Sequence, residues 1–546
     1  MSIPSPIRHL RFQALLAALI ALLPLPGCAP GPRLLPTNEQ TPIDRRFVEY
    51  PSGFQLRPLV RNLTAPTAIA FDEDGVLFVA EGGLNGDEPR IFGFRPADGS
   101  RVDIYPTSTR LVPFGLVKPG FHIYGPVGGI AAGDGKVFVS HRDADGLGVI
   151  TAFGYDGSHT TVVSDLPAQG DYGVTDVLLH EGRLYFGVGT ATNSGVVGID
   201  NWAVGWVKDH PKTCDRSYLD LKLHGRRFDT PNPAAGLLGG SDIAVTGPFQ
   251  PFGTSNQTLI PKDPNGKPNG AIYTVNPLGG GLRVFAHGLH NPRGLAWHEY
   301  RLYATNDGME LRGTRPVMND PDVLLWITPD TWYGWPDFSA DLMPISDPRF
   351  QPTPLDLIAR TGYPDLSFLI DHETSGLVMY RPDASRRIAL IQGVFPSLSG
   401  AAKLCFVEAA QPAFKEFAGN AIVALCGDRY PFATSGQKLK APVGYKVCRV
   451  DIDTHQVFDF IRNTKGLPAH MLEEKPEALE RPIDVKFGPD GALYVLDFGH
   501  MEMRGGTEKP TSRSGRIFKL APILPGRPKP PRPATRPTND GILHLP

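Results

Sequence analysis

The residues of this chain best suited to chemistry are ionisable and amide side chains at the ends of apolar segments. Histidine and carboxylate groups serve as general acids and bases, and arginine binds carboxylates through a planar fork of donors. Alone, each is more commonly a turn-stabilising or solvated group, so their shared placement carries the argument. They are Glu81, His141, Asp171, Tyr172, Asn193, His290, Asn291, Arg293, Asp307, Arg312, Arg481, His500 and Arg504. Their concentration on one face of the predicted fold is the stronger signal of a site.

Two neighbouring groups allow alternative interpretations. The acidic residues Asp307, Glu310, Asp320 and Asp322 could bind calcium, or they could keep a loop soluble, since no EF-hand spacing is present. The aromatic residues of the segment 332–338, WYGWPDF, could stack on a sugar ring or form a packed corner between two strands. No CxxC, CxxCH or HExxH motif occurs, which excludes zinc ribbons, c-type haem and zincins.

Six repeats must position these residues. Each is a short strand, a turn that often contains Asp-Gly, and an apolar strand with a central aromatic residue. The copies are IAFDEDGVLFVAEG (69–82), GIAAGDGKVFVSHRD (129–143), DVLLHEGRLYFGVGT (176–190), GLAWHEYRLYATNDG (294–308), FKEFAGNAIVALCGD (414–428) and DVKFGPDGALYVLDFG (484–499). Further strand pairs follow at 271–289 and 445–463. The pattern predicts an all-β, six-bladed propeller of four-stranded antiparallel blades.

The topology of such a propeller predicts where the chemistry lies. Loops that enter each first strand and leave each second strand share one end, so they bring the residues above to one face. The strand 514–520 is predicted to be the third of the last blade, and Phe54–Leu63 to close that blade. The segments 190–270 and 337–376 exceed ordinary loop lengths and are predicted insertions over one face.

Composition excludes several other classes of protein. The chain has 546 residues, a net charge of −2, 61 glycines and 55 prolines, with 41 % apolar residues. Glycine without a three-residue period excludes collagen, the scarcity of charged heptads excludes a coiled coil, and the apolar content excludes general disorder. A balanced charge without a basic cluster argues against nucleic acid as a partner.

The amino terminus is typical of an export signal. Arg8 and Arg11 precede an uncharged run at 14–23, which is shorter than a membrane-spanning helix needs. The run ends in Leu-Pro-Gly-Cys, which resembles a lipobox and predicts lipid attachment at Cys28. The alternative is an ordinary secretory signal with an incidental cysteine. We therefore expect a signal peptide at 1–27, a Pro-rich tether at 28–53, the propeller at 54–521, and an extended Pro-rich tail at 522–546 in a bacterial envelope or periplasmic protein.

Four further cysteines leave the disulfide pattern open. Cys405, Cys426 and Cys448 recur at intervals that place them on neighbouring strands of one sheet, and Cys214 lies apart. In an exported protein such cysteines can form disulfides, because the compartment is oxidising. Free buried thiols are equally consistent with the spacing.

Several motifs resemble one protein family. The segments RPIDVKFGPDGALYVLDFG, HNPRGLAW, ELRGTRPVMNDPD and WYGWPDF are similar to those of the glucose/sorbosone dehydrogenases, which are soluble quinoprotein propellers. The segment ATNSGVVGIDN (191–201) resembles a bacterial subgroup of mostly unassigned activity. The resemblance extends over about residues 54–521, with all six blades in order.

The resemblance implies oxidation of a sugar or related alcohol by pyrroloquinoline quinone (PQQ) with calcium in an axial cup. It implies cofactor binding by Asn291, Arg293, Arg481 and Arg312, and metal binding by Gly308, Met309 and Asp322. The catalytic positions would be Tyr172, His290 and Asp171, where Tyr172 replaces the proton-accepting histidine of the family. A neighbouring Arg481 would lower the pKa of the Tyr172 phenol, and His290, His141 or His500 are alternative bases.

Two rival functions follow from the departures from the family pattern. His290 stands where the family has an arginine, and Ile483 replaces a second arginine, which favours a non-catalytic propeller that binds a glycan or a protein. A calcium-dependent lactonase is the other rival, by analogy of fold alone. For the dehydrogenase, an electron acceptor in the cell envelope would be the partner.

Overall fold

Six antiparallel sheets surround a common axis in the computed structural model of the chain. The structure describes residues 31–84, 87–95, 98–106, 121–235, 241–255, 257–353, 366–377, 389–430, 439–504 and 507–523. The predicted signal peptide, Cys28 and almost all of the carboxy-terminal tail lie outside these residues. Among the described residues, no helix has the length and apolar character needed to cross a membrane.

Each blade consists of four main strands that pair in chain order. Blade 1 contains Pro66–Phe71, Leu77–Glu81, Arg90–Phe94 and Arg101–Tyr105. Blade 2 contains Tyr124–Gly133, Lys136–Arg142, Gly148–Gly154 and His159–Leu166. Blade 3 contains Val174–His180, Arg183–Val188, Ala271–Val275 and Arg283–His287, with Thr331–Trp332 added in parallel.

The remaining blades follow the same plan. Blade 4 contains Asn291–His298, Arg301–Asp307, Asp322–Ile327 and Ile391–Phe395. Blade 5 contains Ala401–Phe406, Ala421–Leu425, Lys446–Asp451 and Gln456–Asn463. Blade 6 contains Pro482–Phe487, Leu493–Asp497, Gly515–Pro522 and Phe54–Leu63. The six-bladed all-β prediction is therefore confirmed.

The blades form a closed ring. The first strand of each blade packs against the first strand of the next, and that of blade 6 packs against that of blade 1. Phe54–Leu63 pairs antiparallel with Gly515–Pro522, so the two ends of the propeller meet in one sheet, as predicted. Because closure joins both ends of the chain, no blade presents a long unpaired edge at that seam.

The core lies between the blades. Second strands such as Leu77–Glu81, Ala421–Leu425 and Leu493–Asp497 are buried along their whole length, because neighbouring sheets cover both faces. Outermost strands are less buried: in Arg101–Tyr105 the first three residues are exposed or half-buried, and the last two are buried. Burial on both faces explains why the inner strands read as continuous apolar runs around a central aromatic residue.

Short polar side chains connect adjacent blades. The Ser140 hydroxyl donates to the Thr175 carbonyl oxygen at 2.6 Å, and the Thr305 hydroxyl donates to the Ala402 carbonyl oxygen at 2.5 Å. Asp484 accepts a bond from the Ile69 backbone N–H at 2.9 Å across the closing seam. These bonds fix the angular position of the blades and so the shape of the axial opening.

Two segments differ from the expectations. In the fifth repeat the first strand is Ala401–Phe406, whereas Pro412–Phe417 is a 3-10 helix, because Pro412 opens a helical turn. The described part of the predicted tether is packed against the propeller. Arg33–Leu34 pairs with the closing strand of blade 6, and Val48–Glu49 adds a fifth strand to blade 5. Its apolar residues are buried, which offsets the entropy of ordering the segment.

Insertions lie between blade strands. Residues 190–270 contain two short helices, Ile199–Val204 and Trp206–Asp209, and two small ribbons. The ribbons pair Leu221–Lys222 with Leu259–Ile260, and Phe228–Pro231 with Ile243–Thr246. A hairpin, Met501–Arg504 with Thr507–Pro510, extends blade 6. The other 3-10 turns are Thr37–Glu39, Pro348–Phe350 and Ala469–Met471.

Candidate functional site

Polar residues from all six blades line one cavity of about 370 Å³ at the axis, which we call the axial cup. Its volume lies in the range of small-molecule sites. The charged residues described in its wall are Arg142, Asp171, Arg293, Asp307, Glu310, Asp322, Lys403, Asp428, Arg429, Arg481 and Glu508. The cup also contains Tyr172, Asn291 and Gly308, so it gathers residues that are far apart in the chain.

Strand register places two of the predicted residues side by side. Asn291 begins the first strand of blade 4, Asp307 ends the second, and the two residues are direct cross-strand partners. The Asn291 amide donates to Asp307 Oδ2 at 2.8 Å. Asn291 Oδ1 and Asp307 Oδ1 are buried acceptors without a hydrogen-bond partner among the described residues. A buried acceptor without a hydrogen bond destabilises the folded protein. A ligand that donates a hydrogen bond to either oxygen would remove that penalty.

The Asp307 carboxyl group titrates near neutral pH. Burial raises its pKa to about 7, and the Arg293 guanidinium, 3.7 Å from Oδ2, opposes that rise. A carboxyl group with a pKa close to the working pH and an open oxygen facing a cavity has the properties of a general base. The sequence placed Asp307 on the shared face and in an acidic run, but did not predict a general base there. The signal that could have identified it is its register partner, Asn291.

Tyr172 is a neutral phenol in this environment. Burial is the main cause that raises its pKa far above the ordinary value, and the Glu310 carboxylate adds to it. The cation beside the phenol is Arg312, whose Nη2 lies 3.3 Å from the hydroxyl oxygen and lowers the pKa only in part. Arg481 instead donates to Tyr445 and to three backbone carbonyl oxygens. The hypothesis that Arg481 activates Tyr172 is therefore not supported by these contacts.

Arg312 and Asp171 belong to one buried ion network beside the cup. Arg312 contacts Asp171 and Asp200 at 2.7 Å each and Glu310 at 3.0 Å. Asp171 also accepts bonds from the amide of Asn201 and the indole N–H of Trp206. With three carboxylates around it, the Arg312 charge is already neutralised. Both residues position Tyr172 rather than offering free groups to a ligand.

His290 lies behind the wall of the cup. Its Nδ1 is 3.1 Å from the Asp307 carbonyl oxygen, and its ring packs edge-to-face on Tyr172 at 4.9 Å. Burial lowers the pKa of His290 to about 4, so the imidazole is neutral. Nε2 has no partner among the described residues. His141 is likewise buried with a pKa of about 4 and is bonded to Thr151, while His500 lies outside the cup.

The Asp322 carboxylate, one of the groups expected to hold calcium, is engaged by other donors. Asp322 accepts bonds from the backbone N–H groups of Gly308, Gly400 and Ala401 and from the Ser399 hydroxyl. Three of these donors bind Oδ2 and one binds Oδ1, so most of the acceptor capacity of the carboxylate is used. The Met309 side chain is buried in an apolar cluster. Asp322 thus ties blade 4 to blade 5, and the predicted Gly308, Met309 and Asp322 set does not fit calcium through that side chain.

The aromatic segment at 332–338 forms a packed corner. Trp332, Trp335 and Phe338 are buried in the cluster beneath the insertions. The Trp335 indole donates to the Asn193 carbonyl oxygen at 3.0 Å, and the Tyr333 hydroxyl donates to the Trp326 carbonyl oxygen at 2.8 Å. Of the two interpretations of this segment, packing between strands is the one that the contacts support.

Three cations of the cup have no ion pair with a described carboxylate: Arg142, Lys403 and Arg481. Lys403 crosses the axis from blade 5 and donates to the Thr67 and Gly128 carbonyl oxygens at 2.9 and 2.8 Å. Arg481 donates only to neutral oxygens. Burial lowers the pKa of Lys403, and the nearby Asp176 and Asp484 carboxylates oppose that shift.

Arg142 is the most exceptional of the three. Its Nε is buried without a partner, and within the described part of the chain no contact to its guanidinium group is an ion pair or a hydrogen bond. The group lies over Gly173, where a Cβ atom would come within 3.3 Å of Nη2. Burial lowers its pKa, with no charged neighbour to oppose this. The described wall of the cup carries six carboxylates and five cations, and the three cations without an ion pair are the groups suited to an anionic ligand.

The four cysteines are free thiols. Cys405, Cys426 and Cys448 all belong to the sheet of blade 5 or its adjoining turn, as their spacing predicted. Cys426 Sγ accepts a bond from Arg293 Nη1 at 3.5 Å and so lies at the wall of the cup.

Comparisons with known proteins agree with this architecture. No protein-family model matches the chain, and no curated protein matches it. Solved structures with a similar fold include the PQQ domain of a pyranose dehydrogenase from Coprinopsis cinerea, with 13 % identity, a TM-score of 0.46, and coverage of 88 % of this chain and 98 % of that one.

Two further structures are comparable. A calcium-containing family AA12 enzyme from Trichoderma reesei has 15 % identity and a TM-score of 0.46 over 89 % of this chain and 100 % of that one. A glucose dehydrogenase-type oxidoreductase from Thermus thermophilus has 18 % identity and a TM-score of 0.41 over 86 % and 100 %. These values describe fold alone, and no residue role is taken from them.

Proposed function

We propose that this protein oxidises a hydroxyl group of a sugar or related alcohol, with PQQ bound in the axial cup. The observation that carries the proposal is the convergence of Arg142, Lys403 and Arg481, which have no ion-paired carboxylate, on one cavity with the open Asp307 oxygen. PQQ has three carboxylates, and these cations fit them as charge-assisted donors. When bound, the quinone accepts a hydride from the substrate carbon.

The chain itself supplies the proton acceptor. As the substrate carbon loses a hydride, the hydroxyl proton moves to Asp307 Oδ1, and the carbon–oxygen bond becomes a carbonyl. Asn291 holds Asp307 through its amide, and Arg293 stabilises the ionised carboxylate. Tyr172 stays neutral and accepts a hydrogen bond from Arg312, so it forms part of the polar wall and does not take the proton. We derive no step through calcium, although the open oxygens of Asn291 and Asp307 are ligands of the type that calcium takes.

The test is cofactor retention and turnover by the purified protein. We expect the protein incubated with PQQ, with and without calcium, to retain one equivalent through gel filtration and to reduce a dye when a sugar is added. Retention without turnover on any of a panel of sugars and alcohols would instead support a binding propeller. Absence of retention would reject the proposal.

The variant Tyr172→Phe tests whether Tyr172 or Asp307 accepts the proton. Because the phenol is neutral, we expect its removal to lower kcat by less than about tenfold, the loss of one hydrogen bond of about 1 kcal/mol. The pH profile of dye reduction should keep its shape. A general base contributes about 10²–10⁴-fold, so a loss of that size with a changed pH profile would assign the proton transfer to Tyr172.

We also propose export with lipid attachment at Cys28, which would leave the cup facing an electron acceptor of the envelope. In a bacterial host, the full chain should fractionate with membranes, and Cys28→Ser should shift it to the soluble fraction or block its processing. Cys214→Ser, a change at a cysteine of the insertion, should leave the distribution unchanged. Equal fractionation of the wild type and Cys28→Ser would contradict the anchor.

A further inference from the structure

A second polar cluster lies outside the axial cup, in a surface pocket beside blade 6. His470 comes from the 3-10 helix Ala469–Met471, Glu480 lies two residues before the first strand of the blade, and His500 follows its second strand. One ligand atom from each of the three residues lies within 4.8 Å of the others. Among the described residues this is the one group of histidine, cysteine and acidic side chains with such spacing.

The two imidazoles converge on one carboxylate oxygen. Glu480 Oε1 is 2.5 Å from His470 Nδ1 and 3.1 Å from His500 Nδ1. The ring centroids are 4.4 Å apart. A zinc ion holds nitrogen and oxygen ligands at about 2.1 Å, so it spans ligand pairs up to about 4 Å apart. The two histidine–glutamate pairs now contact each other directly, so a small outward movement of the imidazole rings would admit the ion between them.

The carboxylate is held in place by the backbone. Glu480 Oε2 accepts a bond from the His470 N–H at 2.8 Å, and the Glu480 N–H donates to Asp497 Oδ2 at 2.6 Å. The Glu480 side chain is only 3 % exposed. The Glu480 carboxylate is therefore held in position before any ion binds, which lowers the entropic cost of binding the ion.

An outer carboxylate supports one of the histidines. His500 Nε2 lies 3.5 Å from Glu502 Oε1, on the side of the ring opposite Glu480. Histidines that bind metals usually donate their second ring N–H to such a carboxylate, which orients the ring and makes the ligand atom more basic. This arrangement leaves Nδ1 of His500 as the ligand atom.

The cluster is open to solvent on one side. It forms part of the wall of a surface pocket with Arg61, Lys475, Glu477 and Arg516. Glu477 lies 2.6 Å from Arg61 and 4.0 Å from Arg516, so it offsets part of the positive charge opposite the histidines. Two histidines and one carboxylate with an open side are the ligand set of a zinc site that retains a free position.

We propose that His470, Glu480 and His500 bind a divalent transition-metal ion of the zinc type. The ion would cross-link the connection between blades 5 and 6, which carries His470 and Glu480, to the turn after the second strand of blade 6, which carries His500. Glu480 and its neighbour Arg481 both donate backbone N–H groups to Asp497, and Arg481 lines the axial cup. The metal therefore fixes a segment of the cup wall from behind, at a site distinct from the cup itself.

Zinc binding to the full-length protein tests the proposal. After treatment with a chelator, isothermal titration with Zn²⁺ should give one equivalent, and Co²⁺ should give visible d–d absorption bands. Excess Ca²⁺ should not displace the ion, because calcium prefers oxygen ligands. Zn²⁺ should also raise the Tm of the protein, since an ion bound only to the native state stabilises it.

Ligand variants locate the ion. His470→Ala, at a partly exposed residue, should weaken Zn²⁺ binding by more than about 100-fold and abolish the rise in Tm, while Glu502→Gln should weaken binding about 10–100-fold. His224→Ala, at an exposed histidine elsewhere, is the matched control and should bind like the wild type. No Zn²⁺ binding by the wild type, or equal binding by His470→Ala and the control, would overturn the proposal and leave an ion-paired His–Glu–His cluster.

Discussion

Asp307→Asn is expected to lower kcat of sugar oxidation by about 10²–10⁴-fold, the usual contribution of a general base. The amide oxygen can still accept the bond from Asn291 that the carboxylate accepts at 2.8 Å, so the strand ends should stay in register. The variant loses the group that takes the proton, together with its ion pair to Arg293, and keeps the contact to Asn291. PQQ retention should therefore persist while dye reduction is nearly abolished, which distinguishes a lost base from a lost binding site.

The pH dependence gives an independent check of the same assignment. Burial raises the pKa of Asp307 to about 7, and only its ionised form can accept a proton. Because kcat/KM reports groups of the free enzyme, it should rise with pH through about 7 and then level off. Asp229→Asn, at an exposed aspartate of an insertion ribbon, is the matched control and should keep wild-type rates. An activity that is flat from pH 5 to 9 would exclude Asp307 as the base.

Arg142→Gln is expected to weaken PQQ binding while it stabilises the empty protein. A hydrogen bond to a charged group contributes about 1.5–3 kcal/mol, so loss of this guanidinium should raise Kd roughly 10–150-fold. In the empty cup the same group is a buried cation without a described ion pair. Removing it abolishes an uncompensated desolvation cost, and the Tm without cofactor should rise.

The opposite signs of these two effects make the Arg142 test specific. Fluorescence titration with PQQ measures the first effect, and calorimetry of the empty protein measures the second. Arg283→Gln, at an exposed arginine of blade 3, should change neither quantity. A variant that loses both stability and affinity would show that Arg142 has a structural role in blade 2 instead of a role in binding.

Much of the fold follows from local sequence patterns. The Asp-Gly turns and the apolar strands with a central aromatic residue identify blade hairpins, because both signals arise within about 15 residues. Closure was predictable because Phe54–Leu63 had no other partner in its own repeat. The prediction for the first strand of the fifth repeat was wrong. Pro412–Phe417 is apolar enough to resemble a strand, but it starts with a proline that favours a turn.

The Pro-rich amino-terminal segment shows a different limit. Its composition is typical of a linker, yet residues from 33 onward pack on blades 5 and 6 through a few buried side chains such as Ile43 and Val48. Such docking depends on a surface that exists only after the propeller has formed. Local composition therefore gives no signal for it.

The sequence by itself predicted that loops far apart in the chain meet at one end of the propeller, because strand direction alternates along the chain and fixes the end at which each loop lies. Tertiary structure decided what each residue does there. Asp322 and Arg312 are saturated by partners from other blades, whereas Asp307 and Arg142 keep open atoms. Whether a side chain is satisfied depends on contacts between residues of different blades that are far apart in the chain, and on the loss of water that accompanies burial. A local sequence pattern predicts neither these long-range contacts nor the extent of burial.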